Sequence, residues 1–443
     1  MKRVITLVLC IALCLSVFAG CNTADTPETT ELQAETVPQK DYSSYAGIVH
    51  DPKTWYDTLM ALPIANDSMT EEELRQLCVD TFRINLTFTW TPTIDVNYSY
   101  TLLEKTRNYF LPKGIAYSGL CYASGYERGT IWKVLKYYDK ETGALDVEAM
   151  GPDFLLIMSS ACSRGCQWGW NRVCNSSGLS WMTTYERGQS NIVLVGPYTY
   201  QENKYSFSHG DGTVQIIKEN GNKTMYESYA NMKMADGVYT SSGYHVMMCA
   251  ENPVVERWPD GSIDADRSYV IVLEQDAVGS GSDSKNYEQS NGVTLRPLGG
   301  VDNKYTFKQL LDKGYVPFTI KELIGEDPVE PGEAWIGTEF VKVENGKDLT
   351  LEQIFNKTLF GNYVLCTVDF QVKTPEGKVL MSYSPDIDTY ASHYDSQMYH
   401  LLDEEQTARF AKYANGENTI HIYVRLSNGE LLEAFNTILK IEE

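Results

Sequence analysis

Ser160-Ala161-Cys162-Ser163-Arg164-Gly165-Cys166-Gln167-Trp168-Gly169-Trp170-Asn171 is the stretch on which the reading of this chain turns. Small residues lead into a run where Cys162, Cys166, Trp170 and Val173 share one stripe at helical spacing, which predicts a helix over 162–174. A cysteine in a first helical turn feels the positive end of the helix, among backbone N–H groups that have no partner inside it. Both features favour a thiolate. The same amides suit the oxyanion of a tetrahedral intermediate. A base must still take the thiol proton, and histidine is the usual one.

His245 is the best placed of the six histidines. It opens the apolar run His245-Val246-Met247-Met248-Cys249 after Thr240-Ser241-Ser242-Gly243-Tyr244, so it is expected at a strand start facing a helix end. A later run, Tyr269-Val270-Ile271-Val272-Leu273, delivers Glu274 or Gln275 to its end, where either can orient an imidazole. His209 falls in a glycine-rich turn, and His50, His393, His400 and His421 lie outside this region. A helix followed by strand-like patterning from 191 to 275 indicates an α+β fold.

The flanks have their own periods. Residues 41–110 read as mostly helical, with Thr70-Glu71-Glu72-Glu73 as a capping box ahead of Leu74, Leu77, Cys78 and Phe82. Residues 326–332 form an acidic Pro/Gly linker. Beyond it Val364, Cys366, Val368, Phe370 and Val372 alternate with polar residues, and so do Ile420, Ile422, Val424 and Leu426, which run into the hairpin signal Ser427-Asn428-Gly429-Glu430. Residues 333–443 are therefore expected to form an all-β, immunoglobulin-like sandwich.

On these residues the chain resembles the NlpC-type cell-wall peptidases, a papain-like family of cysteine hydrolases. Cys162-Ser163 stands where the family has its nucleophile motif, with Trp168 at the aromatic position six residues on. Gly119-Leu120-Cys121-Tyr122-Ala123-Ser124-Gly125 resembles the Tyr-containing motif beside the substrate cleft. Asp236-Gly237-Val238-Tyr239 and His245-Val246-Met247-Met248 resemble the family's strand pair. The resemblance covers roughly 115–275, and the peptidase-like domain is expected to span 41–325 with a helical N-terminal extension. It implies Cys162 as nucleophile, His245 as base and Glu274 as the third residue, with Tyr122, Ser163 and Trp168 contacting substrate. Cys166 is expected to pack. The implied reaction is hydrolysis of amide bonds in peptidoglycan stem peptides, with no metal or organic cofactor. Ala161 replaces the family's Asp and Arg164 its small residue. These departures support an alternative, a peptidase fold that binds wall peptide, or mediates adhesion, without cleaving it.

The N-terminus is read separately. Lys2 and Arg3 precede an apolar run from Val4 to Phe18, too short to span a hydrocarbon core of roughly 30 Å. Ala19-Gly20 before Cys21 resembles a lipoprotein cleavage site. Residues 1–20 are thus expected to be removed, Cys21 lipidated, and 21–40 a disordered tether that holds the protein outside the cytoplasm at the membrane face. A net charge of −22 argues against nucleic acid as a partner. Seven cysteines follow Cys21, an odd and scattered set with no legible disulfide or zinc pattern.

Overall fold

Thr70 and Glu73 close the capping box that starts helix α1, Glu71–Thr87: Glu73 N donates to Thr70 Oγ1 at 3.3 Å and Thr70 N to Glu73 Oε2 at 2.8 Å. Three glutamates in the first turn face the helix's positive end. Leu74, Leu77, Cys78 and Phe82 then enter the main core. The structure is a computed structural model that describes residues 51–443, except for 103–104, 124–128, 175–190, 202–203, 205, 208, 276–287, 291–292, 296–299, 338–349, 351–352, 355, 388–394, 398–401, 415 and 439–443. Residues 1–40, where a leader and a tether are expected, and Cys21 lie outside the described residues.

The protein is mixed α+β. Its main sheet is antiparallel and six-stranded, made of β1 (Ile192–Leu194), β2 (Gly237–Thr240), β3 (His245–Cys249), β4 (Tyr269–Glu274), β5 (Gly300–Thr306) and β6 (Val316–Ile320), in the order β5-β4-β3-β2-β6-β1. Helix α2, Cys162–Trp170, packs between this sheet and α1. Two glycines permit the approach. A Cβ at Gly165 would stand 2.6 Å from Phe82 Cε2, and one at Gly169 would stand 2.7 Å from Met248 Cε and 2.8 Å from the Cys78 carbonyl. The Trp170 indole donates to the Ala235 carbonyl at 2.8 Å, fixing the far end of α2 against the sheet.

Two stretches differ from the sequence reading. The Thr- and Tyr-rich part of 41–110 is not helical: Thr89–Pro92, Val96–Leu102 and Lys105–Leu111 are strands, the last two an antiparallel pair. Aromatic and β-branched residues suit a pleated surface better than a helix. Conversely, helix α3, Gly212–Ala230, interrupts the strand-like region, bent at Gly221 with φ 76°. Its two glycines and its Thr213-Val214 and Ile216-Ile217 pairs blur any helical stripe.

The C-terminal part holds two antiparallel sheets. One joins Ala334–Gly337, Thr358–Gly361 and Asp395–Gln397; the other runs β8-β7-β9-β10, with β7 Leu365–Lys373, β8 Val379–Tyr383, β9 Thr419–Leu426 and β10 Leu431–Ile438. The expected alternation is visible in β7 and β9, and Gly429, at φ 96°, turns the last hairpin. The reading of this region as all β omits helix α4, Glu404–Tyr413, which is capped by Asp403 and buries Phe410 against Phe370. The 326–332 segment is docked rather than free: Val329 is buried, and the Glu330 carbonyl accepts from Tyr363 OH at 2.9 Å.

A polar and aromatic seam joins this part to the rest. Trp168 of α2 clusters with Val364 and Cys366. Fully buried Arg172 donates from Nη1 to the Asn428 carbonyl at 2.8 Å and from Nε to Thr81 Oγ1 at 3.1 Å. Lys136 and Tyr137 both reach Asp386, at 2.8 Å each. No helix of the described residues is long and apolar enough to cross a membrane.

Candidate active site

Cys162 is the first residue of α2. Its N-cap, Ala161, is extended, with φ −137° and ψ 175°, and has no side chain able to cap. The first-turn amides are left without intrahelical partners and cluster around the cysteine. Ser159–Ser160, just upstream, pairs in parallel with Cys121–Tyr122, matching Tyr122 to Ser160. The short ladder fixes the path of the chain into the helix.

His245 starts β3, opposite Thr240 of β2. Its ring lies close enough to Cys162 for the two to influence each other's protonation, and Nε2 lies 2.8 Å from Glu274 Oε2. Because Nε2 is engaged by the carboxylate, Nδ1 is the nitrogen left for the thiol. Cys162 Sγ donates to the Tyr244 carbonyl at 3.6 Å. Tyr315 stands edge-on to the imidazole, with centroids 6.4 Å apart.

Glu274 ends β4, where the pairing with β5 shifts register between Val272 and Glu274. A register shift of this kind re-aims a side chain, here beneath the imidazole. The Glu274 side chain is wholly buried, yet both oxygens are occupied. Oε1 accepts from Asn303 Nδ2 at 2.6 Å and from Tyr305 OH at 3.3 Å. Gln275, the other candidate for orienting the ring, turns away and donates to the Leu120 carbonyl at 2.9 Å. Asn303 and Tyr305 were not singled out from the sequence. Their signal is their i, i+2 spacing, which puts both on one face of the strand beside the acid.

Electrostatics follow from this geometry. Burial pushes the His245 ring down, but its neighbours Cys162 and Glu274 outweigh it and hold the imidazole well above its ordinary value. Cys166, one turn further along α2, is pushed well up by burial and donates to the Val246 carbonyl at 3.8 Å. Burial likewise raises Cys78, Cys249 and Cys366, the last to about 12. All seven described cysteines are buried and outside any disulfide, and Cys162 is the one that acts on the His245 ring.

The expected substrate contacts have other surroundings. Ser163 is half-buried in the first turn of α2. Tyr122 is only 7% exposed and belongs to a core cluster with Ala161. Trp168 is buried in the seam, its indole donating to the Gly129 carbonyl at 3.2 Å and its ring 4.1 Å from the Arg164 guanidinium. Its surroundings are those of a packing residue. Among the described residues no group of three or more His, Cys, Asp or Glu side chains is arranged to hold a metal ion. His421 lies in β9 beside Glu433, while His50, His393 and His400 fall outside the described residues. Comparison with family models, with curated proteins and with solved structures gave no match.

Proposed function

We propose that the protein is a lipid-anchored, extracytoplasmic cysteine hydrolase of papain-like design that cleaves amide bonds in peptides, with peptidoglycan stem peptides as the substrate class. The observation that carries this reading is Cys162 at a helix start, bonded to the carbonyl of the residue before His245, with the His245 ring on a buried and fully bonded Glu274. The order Cys, His, acid along the chain, and a helix laid against the strands that carry the His and the acid, support the NlpC-type assignment made from the motifs.

In this reading His245 takes the thiol proton and Cys162 Sγ attacks the amide carbonyl carbon. The oxygen gains negative charge and is held by the first-turn amides of α2. His245 returns the proton to the departing amine as the C–N bond breaks, leaving a thioester. Water, deprotonated by the same ring, then adds to the thioester carbon, and collapse of that second adduct frees the acid and the thiol. Glu274 keeps the ring oriented and offsets its charge throughout. The second reading, a wall-peptide binding module, draws support from the low exposure of Cys162, 7%, and from Ala161 and Arg164 in place of the motif residues.

The test incubates the chain from Tyr42 onward, which forms one compact unit, with purified peptidoglycan and identifies released peptides by mass. Release by the wild type and none by Cys162→Ala supports the enzyme. Binding without release by the wild type supports the module. The anchor is tested apart, by whether Cys21→Ala moves the expressed protein from the membrane to the soluble fraction.

A further inference from the structure

Tyr244 stands out among residues around the site because its conformation and its exposure both run against its type. Its backbone lies in the left-handed region, φ 47°, which non-glycine residues with bulky side chains rarely adopt. The residue is 53% exposed, among the most exposed large apolar residues of those described. Yet its carbonyl accepts from the Cys162 thiol, and it directly precedes His245. An unfavourable backbone that presents an aromatic ring to solvent beside a reactive pair is the pattern expected of a contact surface.

The loop is built to hold that pose. Ser241 Oγ donates to the Gly210 carbonyl at 2.8 Å, Thr213 N donates to Ser241 Oγ at 3.0 Å, and Ser241 N donates to Thr213 Oγ1 at 3.0 Å. These bonds tie the 240–244 turn to the segment carrying His209. There the His209 ring stands edge-on to Tyr244 at 6.4 Å between centroids, and the His209 amide donates to Ser206 Oγ at 3.1 Å. An edge-on neighbour leaves a face of the Tyr244 ring open.

The geometry points to Tyr244, braced by His209, as a specificity-determining contact that stacks on the flat, uncharged flank of a peptide substrate next to the scissile carbonyl. This rests on the hydrolase reading above. The ring is attached to the residue whose carbonyl touches the nucleophile, so it lies within about one side-chain length of the carbon under attack. An amide plane in that position meets an aromatic face, a favourable arrangement for two planar groups.

The experiment measures the second-order rate of Cys162 modification in the full chain by two reagents. One is iodoacetamide, which has no flanking residues; the other is a dipeptidyl chloromethyl ketone. The readout is the ratio of the peptidyl rate to the iodoacetamide rate. Tyr244→Asn removes the ring with a residue that accepts the left-handed conformation, and should lower the ratio about tenfold. Tyr244→Phe should restore it to within about twofold of wild type. An unchanged ratio in Tyr244→Asn, or a ratio equally depressed in Tyr244→Phe, overturns the assignment. A wild type in which iodoacetamide prefers another cysteine overturns the hydrolase reading instead, so the two failures are distinct.

Discussion

Glu274→Gln isolates the electrostatic part of the triad, because the substitution keeps the shape of the side chain. Asn303 Nδ2 and Tyr305 OH both donate to Oε1 of Glu274, so the glutamine oxygen is held on their side and its NH2 is turned toward His245. An NH2 facing Nε2 forces that nitrogen to accept, which places the ring proton on Nδ1, the nitrogen facing Cys162. The base then has no lone pair for the thiol. A charge-assisted hydrogen bond contributes roughly 1.5–3 kcal/mol, and the wrong tautomer adds a similar cost. The sum, about 4 kcal/mol, corresponds to a loss on the order of a thousandfold in kcat/KM. Because the buried groups stay paired, folding stability should fall by less than about 2 kcal/mol. The pH profile provides a second check. A ring whose value is raised in the folded protein keeps its proton as pH rises, until that raised value is passed. Removing the Glu274 charge lowers it, so the alkaline limb of activity should move to lower pH. Peptide release by Glu274→Gln within about threefold of wild type, with an unmoved alkaline limb, would rule out this role for the Glu274 carboxylate.

Other perturbations test the supporting structure. Limiting iodoacetamide near neutral pH, followed by peptide mapping, should label Cys162 ahead of Cys166, Cys78 and Cys249, whose thiols burial pushes up. Gly165→Ala puts a methyl 2.6 Å from Phe82 Cε2, so it should cost about 1–3 kcal/mol by denaturant unfolding and slow labelling of Cys162 as α2 shifts. Arg172→Ala strips the seam of a buried donor to Thr81 and Asn428 and should cost about 2–4 kcal/mol, read as a lower Tm.

The parts of the fold that were legible in the sequence are those where one local rule decides. Thr70-x-x-Glu73 makes its capping box without help from the rest of the chain, and the alternation of β7 and β9 follows from having one buried face. Helix α3 escaped because tertiary packing of Ile216, Met225 and Tyr229 stabilises a segment whose own glycines argue against it. At the site, Cys162 and His245 were legible because element ends expose side chains. The strand pattern alone left Glu274 and Gln275 open, and only the resemblance favoured Glu274, since the choice depends on a register shift against β5 that lies in the pairing and in no single strand. Asn303 and Tyr305 were missed for the same reason. Trp168 matched a motif position, but its surroundings are set by strands nearly 200 residues further along the chain (366−168 = 198).

The seven described cysteines, buried and outside any disulfide, bear on how this molecule is handled outside a reducing compartment. While folded, six of them have no path to an oxidant or to one another except through an opening of the core. Once the chain unfolds, all seven are exposed together. Leaving out any one and pairing the other six in fifteen ways gives 7 × 15 = 105 three-disulfide arrangements, none of which is that of the native state. Heating in air should therefore trap the chain chemically, so that the apparent melting temperature depends on scan rate and recovery on cooling requires a reductant. For this fold, durability in an oxidising setting is a matter of how rarely it opens.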